Sequence, residues 1–332
     1  MAQRVSGEFP QPISIPVGSF GDEQISLSTH IAGEASNDRE SVVFCHGFPD
    51  LGFGWRNQLP AVANAGFRAI APDLRGYGAS SAPSSPTAYG LTELTDDLVG
   101  LLDALEISKA VFVGHDWGGF LVWAMAVLHP ERVSAVAAIT TPYIAFPNVA
   151  THLGIVGGDV ERQYVAWFQE VGVAEAEMDA NVETILERIF RSGTPLLEQA
   201  EFALSTGELN FNPFHNPGDW PILGDPVGTA ADLQRYCDVY SRAGFTGGIN
   251  WYRNADRNAA EHPEIGIRHL DIAALMITAE NDPGLRPEFA DGMENRISDL
   301  ERHDLPQVGH WAHAEQPDVV NELLLNWLDG LS

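Results

Sequence analysis

Short apolar runs alternate with amphipathic stretches through the first 140 residues. Ser41–Phe44 and Phe67–Ala71 are apolar runs of strand length, the pattern of strands covered on both faces. Leu91–Leu105 instead places Leu91, Leu94, Leu98, Leu101, Leu102 and Leu105 at helical spacing. Ala110–Val113 reads as a further buried strand, and Gly119–Leu128 as a helix stopped by His129-Pro130. Val133–Ile139 is again strand-like. Strand and helix in this alternation predict a mostly parallel sheet with crossover helices on both faces.

The rhythm breaks at Thr141-Pro142. The next hundred residues hold helical stretches, among them Val182–Phe190 and Ala230–Ala243, and no convincing strand. Strand patterns return at Leu275–Ala279 and Leu300–Leu305, and the helix Val319–Leu331 closes the chain. The expected fold is therefore α/β: a core over 1–141 and 251–332, interrupted by a helical lid over 142–250. Open α/β sheets bind ligands at the carboxyl ends of their strands, and the lid is expected to cover that edge.

Composition narrows the function. The 332 residues carry 18 Lys and Arg against 46 Asp and Glu, a net charge of −28, and Lys109 is the only lysine. Such a surface repels nucleic acid and anionic membranes and suits a salty medium. No apolar run approaches the roughly 20 residues of a membrane span. The opening Met1–Ser6 lacks the apolar stretch of a secretory leader, so a soluble, cytoplasmic protein is expected. Cys45 and Cys237 form neither a disulfide framework nor a metal-ligand spacing, and each reads as a small core residue.

The chemistry concentrates in Val113-Gly114-His115-Asp116-Trp117-Gly118-Gly119. A strand feeds a tight Gly-x-Asp-x-Gly turn and then a helix, the setting of a nucleophile elbow. The usual serine is replaced by Asp116. A carboxylate attacking an ordinary ester would give an anhydride, whereas attack at a saturated carbon gives a covalent ester. The motif thus points to opening of epoxides or removal of halide, against the plainer role of Asp116 as a helix N-cap. In this fold nucleophile, acid and base follow in that chain order. The base expected is His310 in Val308-Gly309-His310-Trp311, with His303 and His313 as rivals. Its orienting acid is Asp282, with Glu280 as the alternative. The backbone N–H groups of Trp117 and Phe48, the latter in Cys45-His46-Gly47-Phe48-Pro49, are expected to form an oxyanion hole.

In combination, His46–Pro49, Gly76-Tyr77-Gly78-Ala79-Ser80, Gly114–Gly118 and Gly309–Trp311 resemble the motifs of the α/β-hydrolase-fold epoxide hydrolases. The likeness is close to the hydrolase domain of the soluble type and runs from about residue 24 to the end. It implies two lid tyrosines that hold the epoxide oxygen: Tyr164 in Arg162–Glu170 and Tyr252 in Asn250–Asn254. A ring oxygen becoming an alkoxide needs such donors. It implies a small apolar epoxide as substrate, a vicinal diol as product, and neither cofactor nor metal. Trp117, Trp167, Phe168, Trp251 and Trp311 are candidate pocket residues, with ordinary packing as their competing role. Val171 stands where relatives often carry proline, and Asp50–Gly54 replaces a more aromatic run. The alternative is a haloalkane or haloacid dehalogenase using the same Asp–His–Asp set, with Trp117 on the halide. Phe48 stands where many of those carry Asn, and Trp117 where the fluoroacetate type carries Arg. A non-catalytic hydrolase-fold protein would lack nucleophile or base, and this chain lacks neither. A monomer or a homodimer is expected.

Overall fold

The computed structural model describes residues 9–35, 39–194 and 210–331; the Met1–Ser6 segment lies outside them. The chain builds β1 (Ile13–Phe20), β2 (Glu23–Ala32), β3 (Ser41–Cys45), α1 (Gln58–Asn64), β4 (Arg68–Pro72), α2 (Leu91–Ala104), β5 (Ala110–His115), α3 (Trp117–Leu128) and β6 (Val133–Ile139). Helices then follow: α4 (Val149–Ile155), α5 (Tyr164–Trp167), α6 (Val173–Ala180), α7 (Val182–Ile189), α8 (Ala230–Ala243), α9 (Thr246–Arg253) and α10 (Ala255–Glu261). The core resumes with β7 (Leu270–Ala279), β8 (Ile297–Leu305), α11 (Ala312–Glu315) and α12 (Pro317–Gly330). Among the described residues no helix is long and apolar enough to cross a membrane.

The eight strands form one sheet in the order β1-β2-β4-β3-β5-β6-β7-β8. From β4 to β8 every pairing is parallel. The pairs β1–β2 and β2–β4 are antiparallel, so an N-terminal hairpin extends a parallel sheet. The apolar pattern did not announce that hairpin. β1 is largely exposed and its register shifts between Pro16 and Gly18. β8 likewise starts at Ile297, three residues before the apolar signal, because it is the far edge strand and most of its side chains meet water.

Successive side chains of a strand face opposite sides of the sheet. Val43, Ile70, Phe112, Val136 and Met276 face α2 and α3, meeting Leu98, Leu101, Leu121 and Val122. Their neighbours Val42, Ala69, Val111, Ala135 and Leu275 face α1 and α12, meeting Leu59, Val62, Leu324 and Leu328. Burial on both faces explains the uninterrupted apolar runs of the central strands. It also aligns the carboxyl ends of β3, β5, β6, β7 and β8, whose exits carry Phe48, Asp116, Thr141, Asp282 and His310.

Candidate active site

Asp116 joins β5 directly to α3 with φ 53° and ψ −121°, a conformation L-residues avoid. The surroundings hold it there. Its carbonyl accepts the Gly119 N–H at 2.9 Å and the Thr141 hydroxyl at 2.8 Å. The turn also needs glycine: a Cβ on Gly118 would run into the carbonyl oxygens of Cys45 and His46, and one on Gly114 into that of Gly118. The strained turn aims the Asp116 carboxylate at the β3 loop. There the Phe48 N–H donates to Oδ1 at 2.8 Å, and the Trp117 N–H also bonds the carboxylate.

His310 Nδ1 lies 2.8 Å from Asp282 Oδ2. Asp282 is fully buried, and its Oδ1 accepts the Gly284 and Leu285 N–H groups at 2.9 Å each. An ionised carboxylate only accepts, so Nδ1–H donates and Nε2 is turned to Asp116, 3.9 Å from Oδ2. The rival residues go elsewhere. Glu280 accepts the Gln307 N–H, His303 pairs with Glu301 on the exposed edge strand, and His313 lies 3.7 Å from the buried Asp50.

Electrostatics couple the three groups. Burial alone would lower the His310 pKa, but the charge and hydrogen bond of Asp282, then the charges of Asp116 and Glu315, outweigh it and raise the imidazole to about 9. Burial works against the Asp282 carboxylate too, yet His310 and the Leu285 and Gly284 amides hold it below its usual range. Asp116 is raised by burial, against the pull of His310 and of the Phe48 and Trp117 amides.

Tyr164 opens α5 and Tyr252 rides on α9. Their rings meet edge to face at 5.5 Å. Tyr252 also packs edge to face on the Trp117 ring at 5.0 Å. Gln169 Nε2 donates to the carbonyls of Val165 and Tyr252, tying the two tyrosine segments together. Burial, then neighbouring charge or phenol, raises both phenols, so they remain proton donors at neutral pH. Phe48, Phe168 and Phe214 pack around them. Phe214 sits in an irregular Asn-Pro-Phe stretch with no pattern to mark it in the sequence. Of the other tryptophans, Trp251 gives its indole N–H to the Arg75 carbonyl and Trp311 to that of Ile189. Trp167 packs on Phe168 and His215.

A separate buried group, Asp50, His115 and His313, brings potential cation-ligand atoms within 4.8 Å of one another. Asp50 Oδ1 is already occupied by the Leu51 N–H and the Tyr236 hydroxyl, and His115 Nε2 bonds the His310 carbonyl at 2.8 Å. Asp50 and His115 thus enter the hydrogen-bond network beneath the His310 loop, while His115 Nδ1 and His313 Nδ1 are buried without a hydrogen-bond partner.

Residues 40–317 match the model of the alpha/beta hydrolase fold family. The chain is 41% identical over 290 residues to bifunctional epoxide hydrolase 2 of Sus scrofa, covering 87% of this chain and 51% of that protein. It is 38% identical over 299 residues to epoxide hydrolase A of Mycobacterium tuberculosis, covering 87% of this chain and 90% of that one. The crystal structure of epoxide hydrolase A from Mycobacterium thermoresistibile superposes with a TM-score of 0.83 at 36% identity, over 97% of this chain and 99% of that one. The chain thus belongs to the epoxide hydrolases of the alpha/beta hydrolase fold. It spans 51% to 59% of the length of the bifunctional relatives it matches.

Proposed function

We propose that this chain hydrolyses small apolar epoxides to vicinal diols through a covalent ester on Asp116. The observation that carries the reading is one carboxylate facing the His310–Asp282 pair, with the adjacent Phe48 and Trp117 packed on Tyr252, whose ring meets that of Tyr164. Asp116 attacks an epoxide carbon and the ring C–O bond breaks. The departing oxygen takes a proton from Tyr164 or Tyr252, and protonated His310 replaces the phenol proton. Esterification removes the Asp116 charge, which had helped to raise His310, so the imidazole releases its proton more readily. Neutral His310 Nε2 then takes a proton from water, and the hydroxide attacks the ester carbonyl carbon. The Phe48 and Trp117 amides, already bonded to this carboxylate, support the oxyanion. Collapse releases the diol, protonated by His310, and the proton left on the Asp116 carboxyl passes to His310, which restores the starting pair.

The same reading treats 142–250 as a lid on a core of 1–141 and 251–332. The boundary falls inside α9, so Tyr252 rides on a helix that spans both parts. No step needs a cofactor or metal. Dehalogenation would use the same carboxylate, but a halide leaves without a proton and gives the tyrosine pair no task. Purified protein offered terminal, disubstituted and aryl epoxides beside haloalkanes tests this: diol is expected. Halide release without diol would replace the reading.

A further inference from the structure

The loop that carries His310 is tied to the helical insertion at two points. The first is Glu315, at the end of the one-turn helix α11, whose carboxylate folds back over the start of its own turn. Its Oε2 accepts the Gly309 N–H at 2.9 Å and its Oε1 the Trp311 N–H at 3.1 Å, so the peptide groups flanking His310 hang on one side chain. A third donor reaches the same carboxylate from the insertion: the Gly193 N–H, 2.9 Å from Oε2. Gly193 and Gly309 approach so closely that a Cβ on either would strike the other's backbone. The second tie is the Trp311 indole, which donates to the Ile189 carbonyl at 2.7 Å while the ring packs on Phe190 at 4.7 Å.

We propose that Glu315 is a positioning residue that makes docking of the Ile189–Gly193 segment and orientation of His310 a single event, required for ester hydrolysis. The inference rests on the epoxide-hydrolase reading above. Two physical effects follow. The carboxylate fixes the backbone on both sides of His310, and small misplacement of a base slows proton abstraction steeply. Its charge also adds to that of Asp282 and Asp116 in holding a proton on His310, while the neighbouring His115 and His313 oppose it. A neutral residue at 315 therefore lowers the proton affinity of His310, which a merely structural role would not do.

Glu315→Gln keeps the size and loses the charge. Rapid-quench kinetics should show alkylation of Asp116 within about twofold of wild type and ester hydrolysis slowed about tenfold or more. The hydrolysis pH midpoint should move to lower pH. Gly193→Ala, which wedges the insertion away from Gly309, should slow the same step with the midpoint unmoved. Equal loss in both half-reactions, or unchanged hydrolysis with an unmoved midpoint, would overturn the proposal. Hydrogen exchange gives a readout independent of the chemistry. In Glu315→Gln the amides of 309–311 and 189–193 should lose protection together. Separate or unchanged protection overturns the latch even if wild-type protein forms no ester, a result that would by itself count only against the epoxide-hydrolase reading.

Discussion

Asp282→Asn is the most exacting perturbation of the proposed mechanism, because it changes one atom type at a fully buried position. In the native protein the carboxylate accepts from His310 Nδ1 at 2.8 Å and is the largest of the charges that raise the imidazole from 6.5 to about 9. That rise corresponds to about 3 kcal/mol of preference for the imidazolium, shared among Asp282, Asp116 and Glu315 against burial. The asparagine amide can still bond the ring, but as a donor it selects the tautomer with the proton on Nε2. The nitrogen facing the ester then has no lone pair for water. Loss of the orienting carboxylate in a hydrolytic triad costs on the order of 10⁴ in turnover. Ester hydrolysis should fall by about 10³–10⁴, while alkylation, whose bond-making step uses Asp116 and the tyrosines, should fall far less. Mixing the variant with excess epoxide and taking intact-mass spectra over time should show the adduct building to one per chain. Hydrolysis within a few-fold of wild type, with no adduct, would refute the reasoning. The matching Glu280→Gln should be silent, since the Glu280 carboxylate accepts the Gln307 N–H and not His310.

The phenols should act on the first half-reaction. Tyr164→Phe or Tyr252→Phe should each slow alkylation by up to ~10²–10³, and the double change should abolish it, because each removes a donor to the developing alkoxide; a double variant that alkylates at the wild-type rate contradicts this. The two half-reactions should also separate in pH. Alkylation falls in acid as Asp116 takes up a proton at its raised value, and hydrolysis falls in acid as His310 does, at a value below 9 once Asp116 is esterified. Single-turnover profiles should therefore place the hydrolysis limb at higher pH than the alkylation limb, and coincident limbs contradict the assignment. Gly118→Ala should cost about 1–3 kcal/mol and lower the melting temperature, since its methyl meets the Cys45 and His46 carbonyls; an unchanged melting temperature contradicts the packing account of the elbow.

What could be read in the sequence follows physical lines. The central strands announced themselves because both of their faces are buried. The β1–β2 hairpin and the start of β8 did not, because edge positions tolerate polar side chains and breaks such as Pro16 and Gly18. Asp116, Phe48 and His310 stand in short motifs next to strand ends, where local spacing carries the information. Asp282 and Glu280 are two residues apart, and only the turn through Gly284 and Leu285 separates one that meets His310 from one that faces Gln307. Tyr164 and Tyr252 came from family resemblance, since the helices of the insertion give no local sign of which tyrosine turns inward. Phe214, Thr141 and Glu315 escaped notice for a different reason. Their contacts are made by tertiary packing, and the Gly193–Glu315 bond spans 122 positions that no periodicity connects.

In the covalent mechanism a carboxylate oxygen of Asp116 enters the product. Enzyme in molar excess over epoxide, mixed in heavy-oxygen water and quenched after one turnover, tests it directly. The first diol should be free of label, with the label found instead in the Asp116 peptide after proteolysis, and labelled diol only in later turnovers. Labelled diol in the first turnover, with Asp116 unlabelled, would show direct attack by water and contradict the covalent mechanism.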